Sequence, residues 1–204
     1  MYKRIIAILI IVILFGTLIG CSKNKGEEPM ENKVCMELED ERKIYITLYP
    51  DVAPISVANF IKLVKANYYD GVIFHRVIDN FMIQTGGYYM SEDGTTIMNK
   101  PRMDTIKGEF SANGVENNLK HTVGVVSMAR ANAYDSASTQ FFICSADYPS
   151  LDGNYAAFGK VEDEESLKVV MAISSANTVY VDGSLANFPY PVITIKTMRM
   201  VGNA

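Results

Sequence analysis

Most apolar residues of this chain fall in short strand-like runs, and in the clearest of them apolar and polar positions alternate with a period of two. Lys43–Leu48 sets Ile44, Ile46 and Leu48 against Lys43, Tyr45 and Thr47, as expected of a strand with one buried face. Val34–Met36, Thr122–Met128, Phe141–Cys144, Tyr155–Val161 and Val192–Met200 are further short strand-like runs. Phe74–Ile78 and Phe81–Gln84 flank Asp79-Asn80, a pair whose side chains satisfy local backbone groups, and whose Asn tolerates positive φ. That spacing predicts a hairpin. In two places the period lengthens to three or four. Ile55–Ala66 follows Pro54, which suits a first helical turn, and repeats Val57, Phe60, Ile61 and Val64 on one face. Leu167–Ser174 repeats Leu167, Val170, Met171 and Ile173, with Ser166 as the expected N-cap. Two helices among many short strands predict a barrel or a sandwich.

The first twenty residues break this pattern. Lys3 and Arg4 precede the uncharged run Ile5–Gly20, too short for a spanning helix and matching a secretory signal core. Leu18-Ile19-Gly20-Cys21 resembles the bacterial lipobox, in which the signal is cut before the Cys and the sulfur carries diacylglycerol. Two acyl chains are what make such anchoring stable. The alternative is an uncleaved N-terminal anchor, and either places the rest outside the cytoplasmic membrane. The chain therefore divides into a lipoprotein signal peptide (1–20), a lipidated Cys21 with a flexible polar tether (21–32), and one domain (33–204).

Composition narrows the function classes. The chain has 204 residues, 49% hydrophobic and 21% charged, ordinary values for one domain able to bury a core. The net charge is −4, and removing the signal takes two of 19 basic residues and none of 23 acidic ones. An acidic domain lacks the electrostatic footprint of a nucleic-acid binder. Two His and no clustered ligands argue against a metal centre, and no Gly-x-Ser-x-Gly is present. With Cys21 taken by lipid, Cys35 and Cys144 remain; an oxidising compartment permits their pairing, which spacing does not decide. Cys144 ends an apolar run and reads as a small core residue rather than a nucleophile.

Candidate chemistry lies in two strand runs. Phe74-His75-Arg76-Val77-Ile78-Asp79-Asn80-Phe81-Met82-Ile83-Gln84 puts a guanidinium and a carboxamide in an apolar hairpin, where an unpaired charge is costly. Ser138-Thr139-Gln140-Phe141-Phe142-Ile143-Cys144 offers Gln140 and Phe142 on one face and Phe141 and Ile143 on the other. With Lys120-His121-Thr122, Ser127-Met128-Ala129-Arg130, Leu151-Asp152-Gly153 and Phe158-Gly159-Lys160-Val161 in order, the chain from about residue 33 resembles the cyclophilin family of peptidyl-prolyl isomerases.

The resemblance implies a mainly β fold, an eight-stranded antiparallel closed β-barrel capped by two α-helices. A solid interior would send substrate to an outer groove. It implies isomerisation of X–Pro bonds in unfolded or partly folded polypeptides, a rotation that breaks no covalent bond and so calls for no cofactor or metal, and nothing in the sequence points away from a monomer. Arg76 would donate to the prolyl nitrogen as the amide twists, and Gln84 would bind the substrate backbone and position Arg76. Phe81, Met82, Phe142 and Leu151 look like walls of the proline pocket. Ala129 and Arg130 would border the groove, Arg130 through its backbone, and Gln140 would complete the polar edge. Tyr155 replaces a frequent family histidine. His75 reads as a packed strand residue and His121 as a structural hydrogen-bonder. Ser150 stands where well-known members carry Trp, so weakened cyclosporin binding is expected. The Ser91–Thr96 loop also departs from the family's glycine-rich loop. Two other classes compete: a Pro-segment binding or chaperone module with little catalysis, which would not demand Arg76, and a solute-binding lipoprotein, for which one such domain is small.

Overall fold

The computed structural model describes residues 32–182 and 185–202, so the signal segment and Cys21 lie outside the described residues. Strand β1 (Lys33–Leu38) pairs with β2 (Lys43–Leu48), and the alternation read above puts Val34, Met36, Leu38, Ile44, Ile46 and Leu48 inside. The hairpin β3 (Arg76–Ile78) and β4 (Met82–Thr85) forms around Asn80 at φ 53°, with Phe81 N–H donating to the Ile78 carbonyl. Two small ribbons follow, β5 (Tyr88–Met90) with β6 (Ile97–Asn99) here and β10 (Thr178–Val179) with β11 (Phe188–Pro189) further on. With β7 (Val125–Met128), β8 (Phe141–Cys144), β9 (Ala157–Lys160) and β12 (Ile195–Val201), the main sheet has eight strands. Their order is β12-β1-β2-β9-β7-β8-β4-β3, every pair antiparallel.

The eight-stranded antiparallel fold is as expected, but "closed" overstates it. The sheet curls and stops at β12 and β3, which share no ladder. Their edges meet through segments leading into them: one bridge, Ile73 with Thr194, and bonds such as Ile195 N–H to Val72 O (2.8 Å) and Phe74 N–H to Ile193 O (3.0 Å). Both ribbons cover this seam, packing Leu185, Phe188, Tyr88 and Ile97 around buried Ile73. The main interior is filled mostly by aliphatic side chains around a group of rings, with Phe60 5.2 Å from Phe141 and 5.1 Å from Phe158.

Helix α1 (Pro54–Lys65) begins at Pro54 and buries Val57, Phe60, Leu63 and Val64 against β9 and β12. Its N-cap, Ala53, has no capping side chain. Instead the buried Glu109 carboxylate accepts from Ile55 N–H (2.9 Å), Ser56 N–H (2.7 Å) and Ser56 Oγ (2.7 Å), satisfying orphan donors where the helix dipole favours an anion. Helix α2 (Glu164–Ser174) corrects the sequence expectation: its N-cap is Asp163, three residues before Ser166. Asp163 Oδ1 accepts from Ser166 N–H at 2.8 Å, while the Ser166 hydroxyl is used by Tyr45 N–H of the sheet. Acidic Glu164 and Glu165 suit that first turn. Met171, expected on the buried face, is 40% exposed, leaving Val170 and Ile173 as its fully buried apolar residues. Cys35 and Cys144 are both free thiols, Cys144 buried.

Candidate active site

Alternation along β3, β4 and β8 sends each second residue outward. Register aligns Arg76 with Gln84, Gln84 with Phe142, and Met82 with Cys144. Val77, Ile83, Phe141 and Ile143 face the main core, while Met82, Phe142 and Cys144 found a separate apolar cluster on the other side. Phe81, Ala129, Leu151 and Tyr155 pack against that cluster. The result is a recess of about 120 Å³ lined by nine of the ten candidate residues, from Arg76 to Tyr155. Gln140 is the exception. It lies behind Gln84, accepting from Gln84 Nε2 at 2.9 Å.

A larger recess, of about 420 Å³, opens beside the C-terminal end of α2. Its lining mixes Glu39, Asp40 and Arg42 with Tyr190 and Pro191, and it holds none of the candidate residues.

The guanidinium of Arg76 is held loosely. Its Nη1 donates to Gln84 Oε1 at 3.3 Å and lies 3.9 Å from the Met82 sulfur, and its Cζ sits 6.0 Å from the centre of the Phe81 ring. Among the described residues no carboxylate pairs with it. Desolvation by burial lowers its pKa, partly offset by Tyr155, yet arginine begins so high that the group stays a cation. Among the described residues most of its five N–H donors therefore have no partner. The relay Arg76–Gln84–Gln140 fixes one donor and leaves the others directed by packing.

The floor has its own support. His121 sits between Asp152 Oδ1 (3.0 Å from Nδ1) and Ser127 Oγ (3.1 Å from Nε2), stacked 6.1 Å from Phe142. Burial lowers its pKa more than Asp152 raises it, so this contact is a hydrogen bond of a neutral ring rather than an ion pair. That agrees with a structural role. His75 is likewise buried, packed 4.7 Å from the Tyr88 ring. Sequence reasoning missed the Arg130 side chain: its Cζ lies over the rings of Tyr155 (4.7 Å), Phe110 (5.1 Å) and Tyr134 (5.1 Å). Asp152 and Ser127 were missed as supports, though Asp152 stands within the Leu151-Asp152-Gly153 block.

A family model described as cyclophilin type peptidyl-prolyl cis-trans isomerase/CLD matches residues 33–200. The chain belongs to the cyclophilin family. Relatives agree: a peptidyl-prolyl cis-trans isomerase of Acinetobacter baylyi is 47% identical over 123 residues, 58% of this chain and 60% of the relative. Peptidyl-prolyl cis-trans isomerase A of Dickeya dadantii is 36% identical over 163 residues, covering 78% and 79% respectively. A cyclophilin-type isomerase of Cryptosporidium parvum, crystallised in the presence of the dipeptide Ala-Pro, superposes with a TM-score of 0.63 at 26% identity, covering 84% of this chain and 99% of that one. The isomerase class expected from the motifs is borne out, as is the cyclophilin-like sheet with two helices.

Proposed function

We propose that this cyclophilin accelerates rotation about X–Pro bonds in unfolded or partly folded polypeptides outside the cytoplasmic membrane, held there by a lipid on Cys21. The observation that carries the catalytic part is Arg76: a cation with unspent donors, half-buried beside an apolar recess on the outer sheet face. No covalent bond changes in the reaction. The barrier, roughly 18–20 kcal/mol, comes from amide resonance, and twisting gives the prolyl nitrogen a lone pair that the planar form lacks. A donor at that nitrogen therefore stabilises the transition state more than the ground state. Phe81, Met82, Phe142 and Leu151 seat the ring, Gln84 holds both Arg76 and the substrate backbone, and Ala129 and Arg130 border the extended chain. The Ala-Pro dipeptide used with the Cryptosporidium relative supports a prolyl ligand for this recess.

The assay is proline isomerisation of a short peptide by the lipid-free domain and by Arg76→Ala. Equal rates would sink the catalytic reading and leave a module that only grips proline. Palmitate labelling tests the anchor separately, and is lost in Cys21→Ala if Cys21 carries lipid. Cyclosporin binding is expected to be weak, since Ser150 supplies no indole beside Leu151; a nanomolar dissociation constant would contradict this.

A further inference from the structure

The recess is electrically one-sided. Its lining contains two arginines, Arg76 and Arg130, and no carboxylate. Among the described residues neither arginine forms an ion pair, although Arg42 pairs with Asp40 and Arg199 with Asp70. This happens in a chain whose formal charge is −4. An acidic protein that keeps two unneutralised cations around one pocket focuses a local positive field there.

Arg130 is also held on several sides. Its Nε donates to Asn154 O (3.0 Å) and its Nη1 to Ala131 O (3.0 Å) and Asn132 O (3.3 Å), while Tyr155, Phe110 and Tyr134 surround the guanidinium plane. Its Nη2 donates no hydrogen bond among the described residues. Carbonyl dipoles and ring faces hold a guanidinium without cancelling its charge, unlike a carboxylate. Asp135 and Asp152 pair with neither arginine: Asp135 accepts from Gly108 N–H and Asn113 Nδ2, and Asp152 accepts from His121 and lies 3.5 Å from Lys120 Nζ. Tyr155, the wall nearest Arg130, fixes that charge at the rim of the proline seat.

We propose that Arg130 is a specificity-determining residue that, with Arg76, makes this isomerase prefer prolines flanked by an acidic side chain. The inference rests on the isomerase reading above. It is tested by kcat/KM for peptides that differ only in the residue before or after proline, carrying Glu, Ala or Lys. A solvent-facing charge pair shifts affinity about two- to five-fold, so Glu over Lys should reach about fivefold at low salt at one of the two positions. The ratio should shrink toward one at about 1 M salt, where the screening length is about 3 Å. In Arg130→Gln the Glu-to-Lys ratio should fall, and in Arg130→Lys much of it should return. The ratio, rather than the rate, is the readout, because truncating Arg130 also loosens Tyr155. If the Ala peptides are turned over but Glu and Lys peptides are equal at both positions, this inference is overturned while the isomerase reading stands. A ratio unchanged in Arg130→Gln overturns the role of Arg130. If no peptide is turned over, both fall together.

Discussion

Removing the Arg76 guanidinium should cost most of the catalysis and almost none of the fold. Uncatalysed X–Pro exchange takes tens to hundreds of seconds, so millisecond turnover needs about 7 kcal/mol of barrier reduction. One preorganised donor at a developing charge supplies about 2.7–4 kcal/mol of such a sum, and Arg76→Ala should therefore lower kcat/KM about 100- to 1,000-fold. Ring seating and backbone positioning supply the rest and remain. Stability should change by less than about 1 kcal/mol, because the side chain is only half-buried and its bonds within the protein are long, 3.3 Å to Gln84 Oε1 and 3.9 Å to the Met82 sulfur. Arg76→Lys keeps the charge but cannot reach Gln84 and substrate at once, so it should lose about tenfold, in the range of one charged hydrogen bond. The assay is peptide isomerisation at several substrate concentrations, with urea unfolding of each variant alongside. An alanine variant within about threefold of wild type would refute the assignment of Arg76 as the decisive donor.

Other consequences follow from the same geometry. Glu109→Ala leaves two backbone donors and the Ser56 hydroxyl at the start of α1 without their acceptor, and should cost about 3 kcal/mol in urea unfolding with little change in kcat; a cost under about 1 kcal/mol would mean water replaces the carboxylate. Burial pushes the His75 pKa from 6.5 down to about 4, so as pH falls below 6.5 the unfolded chain binds the proton first. Stability should decline by about 3 kcal/mol between pH 6.5 and 4, and His75→Phe should flatten that slope in urea midpoints measured across the range. At Gly87 a methyl group would collide with the Gln140 carboxamide, which supports Gln84 and through it Arg76. Gly87→Ala should cut kcat/KM about fivefold, Gln140→Ala should do the same, and the double variant should lose little more, as coupled sites do.

How much of this was legible follows from which interactions are local. The strand-like runs disclosed every strand of the main sheet to within a few residues, Lys43–Leu48 by its alternation and runs such as Phe141–Cys144, buried on both faces, by continuous apolar character. The period of two within Ser138–Cys144 separated Phe142 from Phe141 and put Gln140 on the face of Phe142. What escaped notice acts across long stretches of chain. Glu109 caps a helix 53 residues away in sequence, with no local motif to mark it. Ser166 misled because it stands before the first apolar residue of α2, whereas the helix starts at the acidic pair before it, and its hydroxyl was committed to β2. The open seam beside β3 depends on where two distant edges stop, which periodicity does not encode. The backbone role of Arg130 is what the resemblance implies; of the rings around its side chain Tyr134 stands only four residues on, while Phe110 and Tyr155 come from other parts of the chain.

The adjacent pair Phe141 and Phe142 gives the sharpest test that one strand serves two purposes. Phe141 is fully buried, 5.2 Å from Phe60 and 5.4 Å from Tyr69, inside the main core. Its truncation to Ala should cost about 3–5 kcal/mol of stability, through lost transfer energy and an unfilled cavity. The folded fraction should keep its turnover. Phe142 belongs to the thin outer cluster, edge-on to Tyr155 at 5.7 Å, and forms the floor of the recess. Truncating it removes a contact for the proline ring worth about 1.5–3 kcal/mol, so KM should rise about ten- to a hundredfold, while the stability loss is the smaller of the two. Urea midpoints and substrate-dependent rates on the two variants separate the effects. If Phe141→Ala raised KM and Phe142→Ala chiefly unfolded the protein, the division of the sheet into a supporting inner face and a working outer face would be wrong.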